Sequence, residues 1–198
     1  MFLLAKIAEK NEPLRMEKIN RPLRIGIVGP ESTGKSSLAE RLSKYYKSEW
    51  VAEYARTYVG ALNRTYTYED IEAIARWQID QENKLSVCPP PTEFVFFDTE
   101  LIITKVWFLH VYRKCPVFVD TYLNAHPMDF YLLCAPDLPW EPDPLRENPT
   151  IREFLFAWYE KEIVTLQAPY AVIRGIGDER IRNACRQLEA FVRKKESL

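Results

Sequence analysis

Residues 29–36 read GPESTGKS, the phosphate-loop pattern G-x-x-x-x-G-K-[ST], and no other stretch constrains the fold as tightly. The run Leu23-Arg24-Ile25-Gly26-Ile27-Val28 before it is a short apolar strand. The residues after it, Ser37 to Tyr46, carry the apolar spacing of an amphipathic helix. Strand, loop and helix in that order give the pattern a mechanism. Gly29 and Gly34 let the backbone curl, so that the N–H groups of Glu31, Ser32, Thr33 and Ser37 can turn toward a phosphate chain. The helix N-terminus adds its positive dipole end. Lys35 reaches the β- and γ-phosphate oxygens, and the Ser36 hydroxyl offers one ligand position to Mg²⁺. A nucleotide triphosphate, ATP with Mg²⁺, is the expected ligand.

The rest of the chain fits that start. Strand-like runs at 23–28, about 50–53, 94–98, 129–134 and 170–174 alternate with helical segments near 35–48, 68–86, 99–113, 115–125, 150–167 and 178–195. Such alternation predicts an α/β protein: a three-layer P-loop fold with about five parallel strands and helices on both faces. A chain of 198 residues that is 47% hydrophobic can bury its own core, so one domain (23–198) is expected. Residues 1–22 read as a leader or loose segment, and Met16 leaves the true start open. The 27 Lys and Arg nearly balance 28 Asp and Glu, so no basic field calls for nucleic acid or an anionic membrane. No apolar run approaches a membrane span. Four scattered cysteines and only two histidines argue against a zinc site and for reduced thiols in the cytoplasm.

Candidate chemistry gathers where parallel strands end. Asp98 closes the apolar run Phe94 to Phe97, as a Walker B acid does, and can hold Mg²⁺ or the substrate. It can equally cap the helix that follows. Glu53, at the end of the second strand, can accept the proton of an attacking hydroxyl, with Arg56 at a ribose or phosphate oxygen. A solvated Glu–Arg pair at helical spacing explains both as well. On the helix at 70–86, Ile71, Ile74, Ala75, Ile79 and Leu85 form a stripe from which Gln78 and Glu82 project. Their partners are either a substrate or the core. The proline- and charge-rich stretch 136–149 reads as a lid, with Arg146 and Arg152 placed to neutralise a transferring phosphoryl group and Trp140 to stack on a flat ring. After the last strand, Gly175-Ile176-Gly177-Asp178-Glu179-Arg180 is either an approach to the adenine ring or a helix start capped by Asp178.

Taken in order, GPESTGKS, EYAR (53–56), FFDTE (ending at Glu100), LPWEPDPLRENP (138–149) and GIGDER (175–180) resemble the ribosylnicotinamide kinase domain of the bacterial NadR family. The resemblance runs from about residue 23 to 190. It implies transfer of the ATP γ-phosphate to the 5′-hydroxyl of nicotinamide riboside or a similar nucleoside, in NAD salvage. It places Lys35 and Ser36 at ATP–Mg²⁺, Asp98 and Glu53 at the nucleoside hydroxyls, Tyr54, Arg56, Gln78, Glu100 and Trp140 at the substrate, and Arg146 in the lid. Gly177 and Arg180 fall on the ATP side.

The chain departs from that family in places. Full-length NadR proteins add an adenylyltransferase domain with an H-x-G-H motif; here only His110 and His126 occur, so adenylyl transfer is not expected. Thr57 and Glu100 stand where the family often has Glu and Asp, which opens the choice of acceptor. The competing class is a regulatory P-loop ATPase with no small acceptor. Its motors usually place adjacent Asp-Glu at the Walker B end, and here Thr99 separates Asp98 from Glu100. A kinase for another vitamin alcohol, such as thiamine, is the nearest rival within kinases. Oligomeric state is not legible.

Overall fold

The computed structural model describes residues 21–143 and 146–197. Most of the expected leader (1–20), together with Pro144 and Leu145 of the proline-rich stretch, lies outside the described residues. The elements in chain order are β1 (Leu23–Val28), α1 (Lys35–Tyr46), β2 (Glu49–Val51), α2 (Tyr54–Gly60), α3 (Tyr68–Val87), β3 (Phe94–Asp98), α4 (Leu101–Tyr112), α5 (Val117–Ala125), β4 (Phe130–Cys134), α6 (Arg152–Thr165), β5 (Tyr170–Ile173) and α7 (Asp178–Glu196). All strand pairs are parallel and the spatial order is β2-β3-β1-β4-β5. The expected five-stranded α/β architecture is the one observed.

Parallel sheets covered on both faces read as continuous apolar runs. Every residue of β3 and β4 is buried, and only Arg24 of β1 is not. Alternation still sorts the two faces. Leu23, Ile25 and Ile27 pack with Leu38, Leu42, Ile181 and Leu188 of α1 and α7. Val28, Phe97 and Leu133 pack with Ile71, Phe108, Val119 and Ile163 of α3 to α6. Truncating a ring in either layer, such as Phe96 or Phe108, removes about 3–5 kcal/mol of stability. The register aligns Ile27 with Asp98 and Val28 with Leu133, so the loop leaving β1 emerges between the ends of β3 and β4.

Two boundaries move, with consequences for the site. β2 stops at Val51, and Glu53 becomes the N-cap of α2, a seven-residue helix that sequence periodicity does not show. None of its residues is fully buried, so it has no apolar stripe; Tyr54 instead stacks on Trp77 of α3 at 4.0 Å and 11°. α4 begins at Leu101 rather than 99. Thr99 sits at φ 65°, and the Glu100 carboxylate caps the helix by accepting from Ile102 N at 2.9 Å. The stripe on α3 has Ile71, Ile74 and Ala75 buried and Ile79 and Leu85 half-buried. Cys134 and Cys185 are buried free thiols, while Cys88 is exposed. No helix among the described residues is long and apolar enough to cross a membrane.

Candidate active site

The phosphate loop is shaped by its neighbours before any ligand arrives. A Cβ on Gly29 would stand 2.6 Å from the carbonyl oxygen of Cys134, so only glycine lets the loop pass the end of β4. Gly34, at φ 72°, turns the chain into α1. Within the loop, Thr33 Oγ1 and Lys35 Nζ both donate to Pro30 O, at 2.8 and 2.9 Å. No side chain caps α1 and no acidic residue stands in its first turn, which leaves its N–H groups and dipole to an anion.

A single cleft of about 870 Å³ opens over this loop, the size range of small-molecule sites. Gly29, Glu31, Ser32, Thr33, Gly34, Lys35, Ser36 and Ser37 line one end, with Arg41, Ile176, Gly177 and Arg180 beside them. The other end has a different character: Tyr66, Trp107, His110 and Tyr159 form an aromatic wall from α4, α6 and the α2–α3 connection. Glu53 and Arg56 also line the cleft. Arg56 lies 3.6 Å from Glu53 and 2.9 Å from Asp143.

Asp98 closes β3 beside the phosphate loop and is not itself among the residues lining the cleft. It is 3% exposed, accepts from Thr99 Oγ1 at 3.5 Å, and its carboxyl lies near the Ser36 hydroxyl in the field of Lys35. Burial pushes its pKa up to about 6; the Ser36 hydroxyl and Lys35 pull it down, and Glu53 pushes it up. A hydroxyl and a carboxylate together at the foot of a phosphate loop fit a magnesium ion. No cluster of three acidic, histidine or cysteine ligands exists among the described residues, so such an ion would draw its other ligands from phosphate and water, as Mg²⁺ does.

Residues 138–143 and 146–148 meet the loop. Arg146 Nη1 donates to Ser32 Oγ at 2.8 Å and to Glu141 O at 2.6 Å. Arg152 Nη2 donates to Ser32 O and Leu138 O, at 3.1 and 2.9 Å. Both arginines thus hold the variable part of the phosphate loop through Ser32.

Not every expected residue reaches the cleft. Tyr54 is occupied against Trp77. Gln78 is buried, donating to Thr99 O and accepting from Thr104 Oγ1 at 2.7 Å each, so the core is its partner. Glu100 is sealed behind β3, and Trp140 is not among the lining residues. Burial, reinforced by the neighbouring Glu82, pushes Glu100 up to about 8; burial likewise pushes Glu82 up to about 7 against the pull of Arg24. Arg180 lines the cleft, but its guanidinium donates to Gly175 O, Ile173 O and Ala135 O and pairs with Asp137, stitching the ends of β4 and β5 to α7. The aromatic wall is what sequence reading missed. Trp107 and His110 are three apart on α4 and so share a helix face, a signal present but lost in a helix that is apolar almost all round.

Fold, loop and cleft define a P-loop nucleotide-binding domain. Residues 24–180 match the AAA_28 family model, an AAA domain, and the chain belongs to that family. The trifunctional NAD biosynthesis/regulator proteins NadR of Salmonella typhimurium and Escherichia coli are each 27% identical to it over 129 residues, 62% of this chain and 30% of theirs. The match therefore spans less than a third of those relatives. In structure, the chain is similar to a NadR protein in complex with NR (TM-score 0.66, 21% identity, 86% of this chain and 52% of that one). It is also similar to the deoxyadenosine kinase of M. mycoides with its products bound (TM-score 0.61, 16% identity, 85% and 100%).

Proposed function

We propose that this chain is an ATP-dependent small-molecule kinase that phosphorylates the 5′-hydroxyl of nicotinamide riboside or a closely similar nucleoside. The observation that carries the reading is one cleft lined by the phosphate loop, by an aromatic wall and by Glu53, with Asp98 buried at the end of β3 in the field of Lys35. An aromatic wall suits a flat base, and neighbouring carboxylates suit a hydroxyl that must lose its proton. The NadR relatives and nucleoside-kinase neighbours support the same acceptor class.

In this reading the loop N–H groups, Lys35 and the dipole of α1 hold the triphosphate. Ser36 and Asp98 would hold Mg²⁺, which when bound neutralises charge on the phosphates. Glu53 takes the proton of the acceptor hydroxyl as it attacks in line. Arg146 covers the transferring group and excludes water. Positioning and electrostatics supply the rate, with no covalent enzyme intermediate.

An ATPase of the motor type normally polarises water with a Glu just after its Walker B Asp. Glu100 is the residue at hand, and its carboxylate is spent on the α4 cap and 4% exposed. The test is ADP release from ATP–Mg²⁺ with and without nicotinamide riboside, thiamine and common nucleosides, with products weighed by mass spectrometry. Strong stimulation by nicotinamide riboside and appearance of its mononucleotide are expected. Stimulation by thiamine alone changes the acceptor, and a basal rate that no acceptor raises overturns the kinase.

A further inference from the structure

Glu31 occupies the second variable position of the phosphate loop, where a carboxylate beside a triphosphate would repel it. The structure shows what the side chain does instead. Its two oxygens accept from the backbone N–H of Glu147 at 3.2 and 3.1 Å. One of them also accepts from the N–H of Asn148 at 2.9 Å, and the other from Asn148 Nδ2 at 3.3 Å. These are charge-assisted bonds to main chain, the stronger kind. Asn148 precedes Pro149, which restricts it to extended backbone and stiffens the strut.

Glu147 is held from the opposite side as well. Its Oε2 accepts from Tyr66 OH at 2.8 Å, and the Tyr66 ring meets Trp107 edge-on at 4.8 Å in the aromatic wall. One residue therefore joins the two ends of the cleft: its backbone is fastened to the phosphate loop and its side chain to the aromatic wall. Resting on the kinase reading above, we infer that Glu31 is a positioning residue, and that the Glu31–Glu147–Tyr66 connection couples occupancy of the acceptor end to the covering of the phosphate loop. An acceptor packed against Tyr66 and Trp107 steadies Glu147, and through Glu31 steadies the segment that shields the triphosphate from water. The Glu31 side chain is committed to this connection, whatever its backbone N–H contributes to the phosphate loop.

Two measurements test this. The first needs no acceptor: amide hydrogen exchange at Glu147 and Asn148, with the non-hydrolysable analogue AMP-PNP present. Glu31→Ala should speed exchange at these two amides about ten- to a hundredfold, with Glu31→Gln in between, while amides of β1 and β3 keep their protection. Unchanged exchange at 147 and 148 overturns the anchor whatever the enzyme phosphorylates. The second is kinetic, run with the acceptor the wild-type protein uses. Glu31→Ala should raise the acceptor KM several-fold and raise the fraction of ATP lost to water, with little change in the ATP KM. Tyr66→Phe should do the same more weakly, and the double variant should cost less than the sum of the two. A rise confined to the ATP KM, or strictly additive effects, assigns Glu31 to nucleotide binding and overturns the coupling. A wild-type protein that phosphorylates nothing defeats the kinase reading, while the exchange result still stands on its own.

Discussion

The two ends of the cleft are built in opposite ways. The phosphate end is local: Gly29 to Ser37 are consecutive, and the chemistry comes from backbone N–H groups, one lysine and one hydroxyl. The aromatic end is assembled from distant pieces, with Tyr66 from the α2–α3 connection, Trp107 and His110 from α4, and Tyr159 from α6. The first end binds what all nucleoside triphosphates share, so a short motif suffices. In the kinase reading the second must match one acceptor in shape, and shape is set by how helices pack. The fold therefore constrains the donor more tightly than the acceptor.

Substitutions at the two ends should separate accordingly. The largest effect is expected from Lys35→Ala, which should cut phosphoryl transfer a hundredfold or more, about 3 kcal/mol of transition-state stabilisation. Steady-state turnover within a few-fold of wild type would break the assignment of the phosphate end. Next come the two carboxylates, Glu53 and Asp98. Glu53→Gln should lower kcat about a hundredfold with the ATP KM nearly unchanged. Asp98 gives a pH signature: its folded pKa is raised to about 6 and the ionised form is the working one, so the rate should fall as pH drops through that value. Asp98→Asn should be slow and lose that acidic limb; a rate limb that survives the substitution assigns it to another group.

At the aromatic end the effects should be smaller and confined to the acceptor. Trp107→Ala should raise the acceptor KM about three- to tenfold, the worth of one stacking contact, and leave ATP binding unchanged by titration. An equal loss in ATP affinity would show that the two ends are not separable. A last effect concerns stability and leaves the chemistry of the cleft aside. Glu82 and Glu100 have folded pKa values above their unfolded ones, so the native state holds extra protons between about pH 4.5 and 8. Their contribution favours the fold toward pH 5 and is lost as pH rises through 7 to 8. Glu100→Gln keeps an acceptor for Ile102 N and should flatten that slope, read as melting temperature against pH.

Asp98 and Glu100 show how far sequence reasoning reaches into the site. They are two residues apart and chemically alike, and both are candidates from the motif alone. Asp98 ends β3 beside the loop leaving β1, because parallel register places strand ends side by side. Glu100 follows Thr99, whose positive φ swings the chain away from the cleft and leaves the carboxylate capping α4. No periodicity carries that turn. Gln78 is similar: a polar side chain on an apolar stripe implies a partner, but only packing names Thr99 and Thr104. Glu31 belongs to the same lesson. Its place in the loop is legible, and its attachment to residues more than a hundred positions away is not.

By itself the sequence determined the P-loop, the alternation that yields a five-stranded parallel sheet, and the acid at the end of β3. These features depend on near neighbours in the chain: backbone turns that need glycine, apolar runs buried on both faces, and a strand end that must adjoin the loop. Tertiary structure alone decided which aromatic residues line the cleft, which carboxylates are sealed, and how the segment at 146–148 joins the phosphate loop to Tyr66. Those depend on contacts between residues far apart in sequence, where a side chain's role is set by what packing leaves beside it.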